Sequence, residues 1–143
     1  MRSLFWFGAF LIAIFAQSGE EVEITIKGST TCNRKTMATQ KVKLYKWARG
    51  GSETLPTEFS SDDLLASTES GSNGGFELKI GNNRTENYIP VLRFTHTCNM
   101  KQWCFRRQDV VLPIKDKAEW TDFDMTFVPL DYHGYAAKDI CND

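Results

Sequence analysis

IPVLRFTHTCNMKQWCFRR, residues 89–107, joins an apolar, β-branched segment to a short polar loop with a cysteine at each end. Strict alternation over the first part predicts a β-strand with two distinct faces. One face would carry Leu92, Phe94 and His96, and the other Val91, Arg93 and Thr95. No other stretch combines so apolar a strand with two cysteines. We therefore expect residues 89–97 to form a central strand of the fold.

Six further segments show strand patterns, separated by polar or glycine-containing turns. They are residues 21–27, 40–47, 64–66, 76–80, 105–114 and 121–130. The turn GSNGG at residues 71–75 has the Asn-Gly and Gly-Gly pairs that favour a hairpin. No stretch has helical periodicity beyond a turn or two, so the pattern predicts an all-β sandwich or open barrel. The predicted core includes Phe76, Leu92, Phe94, Phe123 and Phe127, and residues 132–143 are predicted to be a polar tail.

The first 18 residues predict a secretory signal peptide. Arg2 is followed by an apolar run over residues 4–15 and by small residues at the expected cleavage point. The run is shorter than a membrane-spanning helix, which needs about 20 apolar residues. We therefore expect one secreted domain over residues 19–143, with no transmembrane segment.

All four cysteines follow the predicted signal peptide, and an oxidising compartment favours two disulfides. Three pairings are open. Cys32–Cys98 with Cys104–Cys141 is favoured because each bond would join distant parts of the chain. A local Cys98–Cys104 bond is the alternative. The spacing lacks the paired clusters of a structural zinc site, so no metal is expected.

Charge and glycosylation signals add two constraints. The chain has 17 Lys and Arg against 18 Asp and Glu, a balance that argues against a nucleic-acid partner. Asn83-Arg84-Thr85 is a sequon, and Asn83 is a candidate glycosylation site.

Several motifs together resemble the nematode transthyretin-like family of secreted proteins. They are KVKLY near residue 43, DDLLA at 62–66, GGFEL at 74–78, IPVLRFTHTCN at 89–99 and FDM at 123–125. The sequence departs from the family pattern in having Thr97 between His96 and Cys98, and Ile89 before the proline. The chain is therefore identified as a divergent member. The resemblance implies a seven- to eight-stranded prealbumin-like β-sandwich, stapled by disulfides.

The resemblance also implies extracellular binding, with some family members acting as adaptors at cell surfaces. The expected function is therefore a secreted recognition protein without a cofactor, whose partner is a protein receptor or an anionic lipid surface. An extracellular carrier of a small apolar ligand is the alternative. A hydroxyisourate-hydrolase-like enzyme is less favoured, because the chain has only His96 and His133 and lacks a Tyr-Arg-Gly-Ser type C-terminus. The oligomeric state is left open.

His96 and Cys98 could form a nucleophile–base pair, which would require a free thiol. A cysteine exported with three others favours oxidation instead. His96 is then expected to be an inward-facing histidine whose ring nitrogens are satisfied by backbone or loop carbonyls.

Two groups of basic and aromatic residues form the predicted binding surface. They are Lys41, Lys43, Tyr45 and Trp47, continued by Arg49, and Trp103, Arg106 and Arg107, accompanied by Lys101 and Phe105. Aromatic anchors beside cations could hold a protein or an anionic head group. The alternative is that the lysines protect an edge strand from aggregation. Sequence alone does not say whether the two groups share one surface.

Overall fold

The computed structural model describes residues 21–48, 55–56, 58–83, 88–112 and 122–142. The predicted signal peptide and Arg49 lie outside these ranges. The strands are β1 (Glu21–Cys32), β2 (Lys35–Thr36), β3 (Lys41–Ala48), β4 (Leu64–Glu69), β5 (Gly75–Asn83), β6 (Tyr88–His96), β7 (Cys104–Val111), β8 (Phe123–Pro129) and β9 (Ala136–Cys141). A short 3-10 turn, Ser61–Asp63, precedes β4. Among the described residues, no helix is long and apolar enough to cross a membrane.

The strands form two sheets. In the four-stranded sheet β1 pairs with β2, with β5 and, in parallel orientation, with β8. In the five-stranded sheet the order is β4-β3-β6-β7-β9, with antiparallel pairing throughout. The predicted central strand is β6, which has a partner on each side. The all-β fold class is confirmed.

The core lies between the sheets and draws on both. Its fully or almost fully buried side chains are Ile24, Ile26, Val42, Leu44, Phe76, Leu78, Ile80, Leu92, Phe94, Leu112, Val128 and Leu130. Phe76 and Phe94 meet edge to face across the sandwich, with ring centroids 5.5 Å apart. The predicted core positions of Phe76, Leu92 and Phe94 are therefore confirmed, and Phe123 packs partly buried against the core.

Strand β8 departs from the predicted alternation. Thr126 has φ +59°, and its N–H donates to Oδ1 of Asp124 at 2.8 Å. The pairing with β1 shifts at this point, so the alternation changes phase. Phe127, predicted to lie in the core, is 67% exposed, while Val128 takes the buried position. The prediction for Phe127 was wrong because an irregularity of one residue reverses the facing of every residue after it.

The C-terminal segment also differs from the prediction of a polar tail. Residues 136–141 form β9, which adds to the edge of the five-stranded sheet beside β7. The number of strands among the described residues is thus above the seven to eight expected, although β2 has only two residues.

Two disulfides are present: Cys32–Cys98 and Cys104–Cys141. They are the pairs that the sequence favoured over a local Cys98–Cys104 bond. Cys32–Cys98 links β1 to the end of β6 and so joins the two sheets. Cys104 and Cys141 face each other across β7 and β9, and their bond fixes the register of the last strand.

Candidate functional site

The outer face of the five-stranded sheet brings together residues from both predicted groups. Thr95 of β6 is paired with Lys41 of β3 on one side and with Arg107 of β7 on the other. Directly opposed residues of antiparallel strands point to the same face. With neighbouring strands about 4.8 Å apart, Lys41 and Arg107 lie on one face at a strand separation of about 10 Å.

Two further cations extend this surface. Lys138 of β9 is paired with Arg107, and Lys43 follows Lys41 on the same face of β3. Lys41 and Lys138 are exposed and Lys43 is half-buried. We call these four residues, Lys41, Lys43, Arg107 and Lys138, the basic face. The two predicted groups therefore share one surface in part, a point that the sequence left open.

A buried ion pair lies next to the basic face. Arg93 donates to Asp109 through Nε at 2.8 Å and through one terminal nitrogen at 2.9 Å. The Arg93 guanidinium also lies over the rings of Tyr45 and Phe59, 5.7 and 5.0 Å from their centroids. The two rings stack on each other at 4.7 Å. The hydrogen bond to Asp109 raises the pKa of Arg93 against the opposing effect of burial.

The segment before the 3-10 turn lies across this face. Phe59 covers Tyr45, and the carboxylate of the preceding Glu58 accepts two hydrogen bonds from Arg107, at 2.9 and 3.2 Å. The hydrogen bond from Arg107 lowers the pKa of Glu58, and the charges of Arg107, Arg93 and Lys138 act in the same direction. The acidic side chain of Glu58 thus lies close to three cations, Arg107, Arg93 and Lys138.

Of the other predicted surface residues, Tyr45 and Trp47 lie on the same side of β3 as Lys41 and Lys43, whereas Arg106 and Trp103 lie elsewhere. Tyr45 is buried in its stack, and Arg106 points to the opposite side of β7, where it pairs with Asp139 at 2.5 and 3.1 Å. Trp103, 73% exposed, lies at the tip of the β6–β7 connection beside the Cys104–Cys141 bond. Trp47 is half-buried toward the far end of β3. The predicted surface is therefore smaller than expected, and it has acidic neighbours: Glu58 pairs with Arg107, and Glu69 of β4 is opposed to Lys41.

The edge-strand interpretation of the lysines was wrong. Strand β3 lies between β4 and β6, and the edges of this sheet, within the described residues, are β4 and β9. Lys41 and Lys43 therefore do not protect an exposed edge.

His96 is 1% exposed, with a partner at each ring nitrogen. Nδ1 accepts from the N–H of Cys98 at 3.0 Å, and Nε2 therefore carries the proton and donates to Oε1 of Gln108. Burial lowers the pKa of His96, and the hydrogen bond to Gln108 opposes that effect. Because Cys98 is disulfide-bonded, the two residues do not form a nucleophile–base pair.

Two parts of the site were missed from the sequence. Lys138 lies in the segment predicted as a tail, and Glu58 in a loop without a pattern. Lys138 could have been found from the favoured disulfide: if Cys104 and Cys141 are opposed in antiparallel strands, counting three residues inward from each places Lys138 opposite Arg107. No local signal pointed to Glu58.

The comparisons with known proteins identify the family. Residues 27–113 match the family model described as "TTR-52: Transthyretin-like family". The chain is 34% identical over 119 residues to transthyretin-like protein 16 of Caenorhabditis elegans, covering 82% of each chain. It is 31% identical over 85 residues to transthyretin-like protein 5 of the same organism, covering 59% of this chain and 55% of the relative. The chain belongs to the transthyretin-like family, as its motifs predicted.

One solved structure shows a weak likeness. The 9R-lipoxygenase from Cyanothece PCC8801 aligns with 90% of this chain at 12% identity and a TM-score of 0.44, and the aligned part is 19% of the lipoxygenase chain. This likeness is too weak to bear on fold or function.

Proposed function

We propose that the protein is a secreted recognition protein, not an enzyme, and that its basic face binds an anionic surface such as the lipid head groups of a cell membrane. The observation that carries this proposal is that Lys41 and Lys43 of β3, Arg107 of β7 and Lys138 of β9 lie on one face of the sheet. Clustered cations attract an anionic lipid surface by about 1 kcal/mol each.

Apolar side chains beside the cations support the same function. Phe105 and Ile140, an opposed pair on β7 and β9, are half-buried one row beyond Arg107 and Lys138. Partly exposed apolar area next to cations suits the boundary between head groups and acyl chains. The charge of the whole chain is −1, so attraction to an anionic surface depends on where the cations lie.

Vesicle binding tests this function. The purified, disulfide-bonded protein is mixed with phosphatidylcholine vesicles containing increasing fractions of phosphatidylserine, and bound protein is measured by sedimentation. We expect binding to rise with phosphatidylserine and to weaken with salt. The double variant Lys41→Ala/Lys43→Ala should lose about 2 kcal/mol, or roughly 30-fold in partitioning.

A matched control removes the same charge from the opposite sheet. Lys27 and Lys79 are exposed on the outer face of the four-stranded sheet. The variant Lys27→Ala/Lys79→Ala should bind as the wild type does. Equal losses in the two double variants would show that net charge, not the basic face, governs binding. Failure of the wild type to bind at any lipid composition would refute the proposed function.

A carrier function has less support from the structure. The space between the sheets is filled by the core residues, with Phe76 against Phe94 at its centre. The grooves lined by described residues are open to solvent at the surface, whereas a small apolar ligand is held in an enclosed site.

A further inference from the structure

A cleft of about 450 Å³ opens at one side of the basic face. Leu55 and Pro56 form one wall, and the outer side of β7 and β9 forms the other. Its charged lining residues are Arg93, Arg107, Asp109 and Lys138. Small apolar residues, Ala136 and Ala137, complete it. The charged groups of the cleft come from three adjacent strands, β6, β7 and β9.

The charges in and around the cleft do not balance. Arg93 is neutralised by Asp109, and Arg107 by Glu58 from outside the cleft. Lys138 forms no ion pair with any described residue, which leaves one cation in excess. Glu58 contacts Arg107 through its carboxylate group, and its side chain is 70% exposed.

Arg107 has donor capacity that Glu58 does not use. Glu58 accepts from the two terminal nitrogens, and Nε of Arg107 is buried with no hydrogen-bond partner in the part of the chain that the structure describes. A buried donor without a partner is rare in folded proteins and costly. A planar guanidinium can donate to a carboxylate or phosphate through its two terminal nitrogens or, as a second pair, through Nε and one terminal nitrogen.

We propose that this cleft is a subsite for a single phosphate group, held by Arg107 and Lys138, and that the phosphate competes for Arg107 with Glu58, which pairs with it from outside the cleft. The inference deepens the proposed function and rests on it for the biological source of the phosphate. Once Glu58 is displaced, Arg107 and Lys138 together offer two positive charges. A monoester phosphate carries close to two negative charges at neutral pH and matches them, whereas the diester phosphate of a lipid such as phosphatidylserine carries one and would leave one cation in excess. Arg93 stays paired with Asp109 and positions the floor of the cleft.

Titration with soluble phosphates tests the subsite separately from the membrane. Glycerol 3-phosphate and inorganic phosphate are titrated into the disulfide-bonded protein at pH 7.5, and backbone amide shifts are followed by NMR. We expect the largest shifts at Arg107, Lys138 and Glu58. Arg107→Gln and Lys138→Gln should each weaken binding roughly tenfold, the lower end of a charge-assisted hydrogen bond. Glu58→Gln should strengthen binding, because the competing carboxylate is gone.

Arg106→Gln is the matched control. Arg106 is adjacent in sequence and is also ion-paired, but it lies on the other side of β7. It should leave phosphate affinity unchanged. Equal weakening by Arg106→Gln and Arg107→Gln, unchanged affinity in Glu58→Gln, or shifts confined to other residues would overturn the subsite.

The phosphate titration and the vesicle experiment can refute the subsite and the membrane function separately. Glycerol 3-phosphate binding in the cleft without vesicle binding would keep the subsite, assign it to a soluble phosphate ester and refute the membrane function. The opposite outcome is that vesicle binding depends on Lys41 and Lys43, that Arg107→Gln binds vesicles as the wild type does, and that glycerol 3-phosphate causes no amide shifts. This outcome would keep the membrane function and refute the subsite.

Discussion

Arg93 and Asp109 face each other across β6 and β7 and form a two-point ion pair that is almost closed to solvent, with side chains 7% and 10% exposed. The pair lies on the outer face of the sheet, the side away from the core. It is covered there by the stacked rings of Tyr45 and Phe59. The outer face therefore has a small covered layer of its own, and the segment carrying Phe59 and Glu58 is held over it.

Removing one partner of this pair should destabilise the protein strongly. Asp109→Ala leaves the Arg93 charge buried, at a cost of about 3 kcal/mol, because the rings of Tyr45 and Phe59 stabilise the cation only in part. Replacing both residues, as Arg93→Met/Asp109→Leu, should come closer to wild-type stability than the single variant. Urea unfolding followed by circular dichroism measures both. A single variant with an unchanged midpoint would show that the pair contributes little.

Stability should fall as the pH is lowered from 7.5 to 5.5. The pKa of His96 in the folded state is lowered from 6.5, so below about pH 6.5 the unfolded chain binds more protons than the folded one. The free energy of unfolding should then decrease by at most about 1.4 kcal/mol per pH unit. The lowered pKa values of Glu58 and Asp139 act in a separate window, below 4.5 and 3.8 respectively.

The two histidines of the chain provide the comparison. His96→Gln should remove most of the decline between pH 7.5 and 5.5, and His133→Gln, which changes an exposed side chain, should keep it. Thermal unfolding at a series of pH values measures the slope. A decline that persists in His96→Gln would assign it to another group.

The sequence predicted correctly those strands in which buried and exposed residues alternate without interruption. Alternation in β3 and β6 places Val42, Leu44 and Phe94 inside because each strand is regular over its length. The family resemblance rested on the same strands. Where the period breaks, at Thr126, the prediction failed for Phe127.

The candidate site could be predicted from the sequence only in part. Its residues lie on several strands, so their arrangement depends on the register in which neighbouring strands pair. The sequence identified Lys41, Lys43 and Arg107 as surface cations but could not place them on one face of the sheet. Their arrangement depends on how β3, β6 and β7 are paired, which is a matter of long-range contacts. Glu58 is seated by a loop whose path no local pattern specifies.

Substituting Phe127 and Phe94 should give opposite results. Phe94 is fully buried against Phe76, so Phe94→Ala should cost about 3–5 kcal/mol. Phe127→Ser, at a site that is 67% exposed, should change stability by no more than about 0.5 kcal/mol. Chemical unfolding of both variants tests the assignment. A large loss in Phe127→Ser would mean that the side chain is buried, as the alternation of β8 first indicated.

The two disulfides should differ in their response to a reducing agent. Both close long loops, with separations of 66 and 37 residues, and each should contribute about 4 kcal/mol by restricting the unfolded chain. Cys98, however, is 1% exposed and part of the core, whereas Cys141 is exposed at the end of β9. Exchange requires a thiolate to reach a sulfur atom, so access governs the rate.

Under native conditions dithiothreitol should therefore reduce Cys104–Cys141 first. Alkylation after short exposure, followed by peptide mass spectrometry, identifies the thiols released. We expect labels on Cys104 and Cys141 while Cys32–Cys98 stays intact until the protein unfolds. The variant Cys104→Ala/Cys141→Ala should stay folded with β9 loosened, and Cys32→Ala/Cys98→Ala should lose more stability because it also removes core volume. Simultaneous labelling of all four cysteines would show that reduction proceeds through global unfolding and that local access does not decide it.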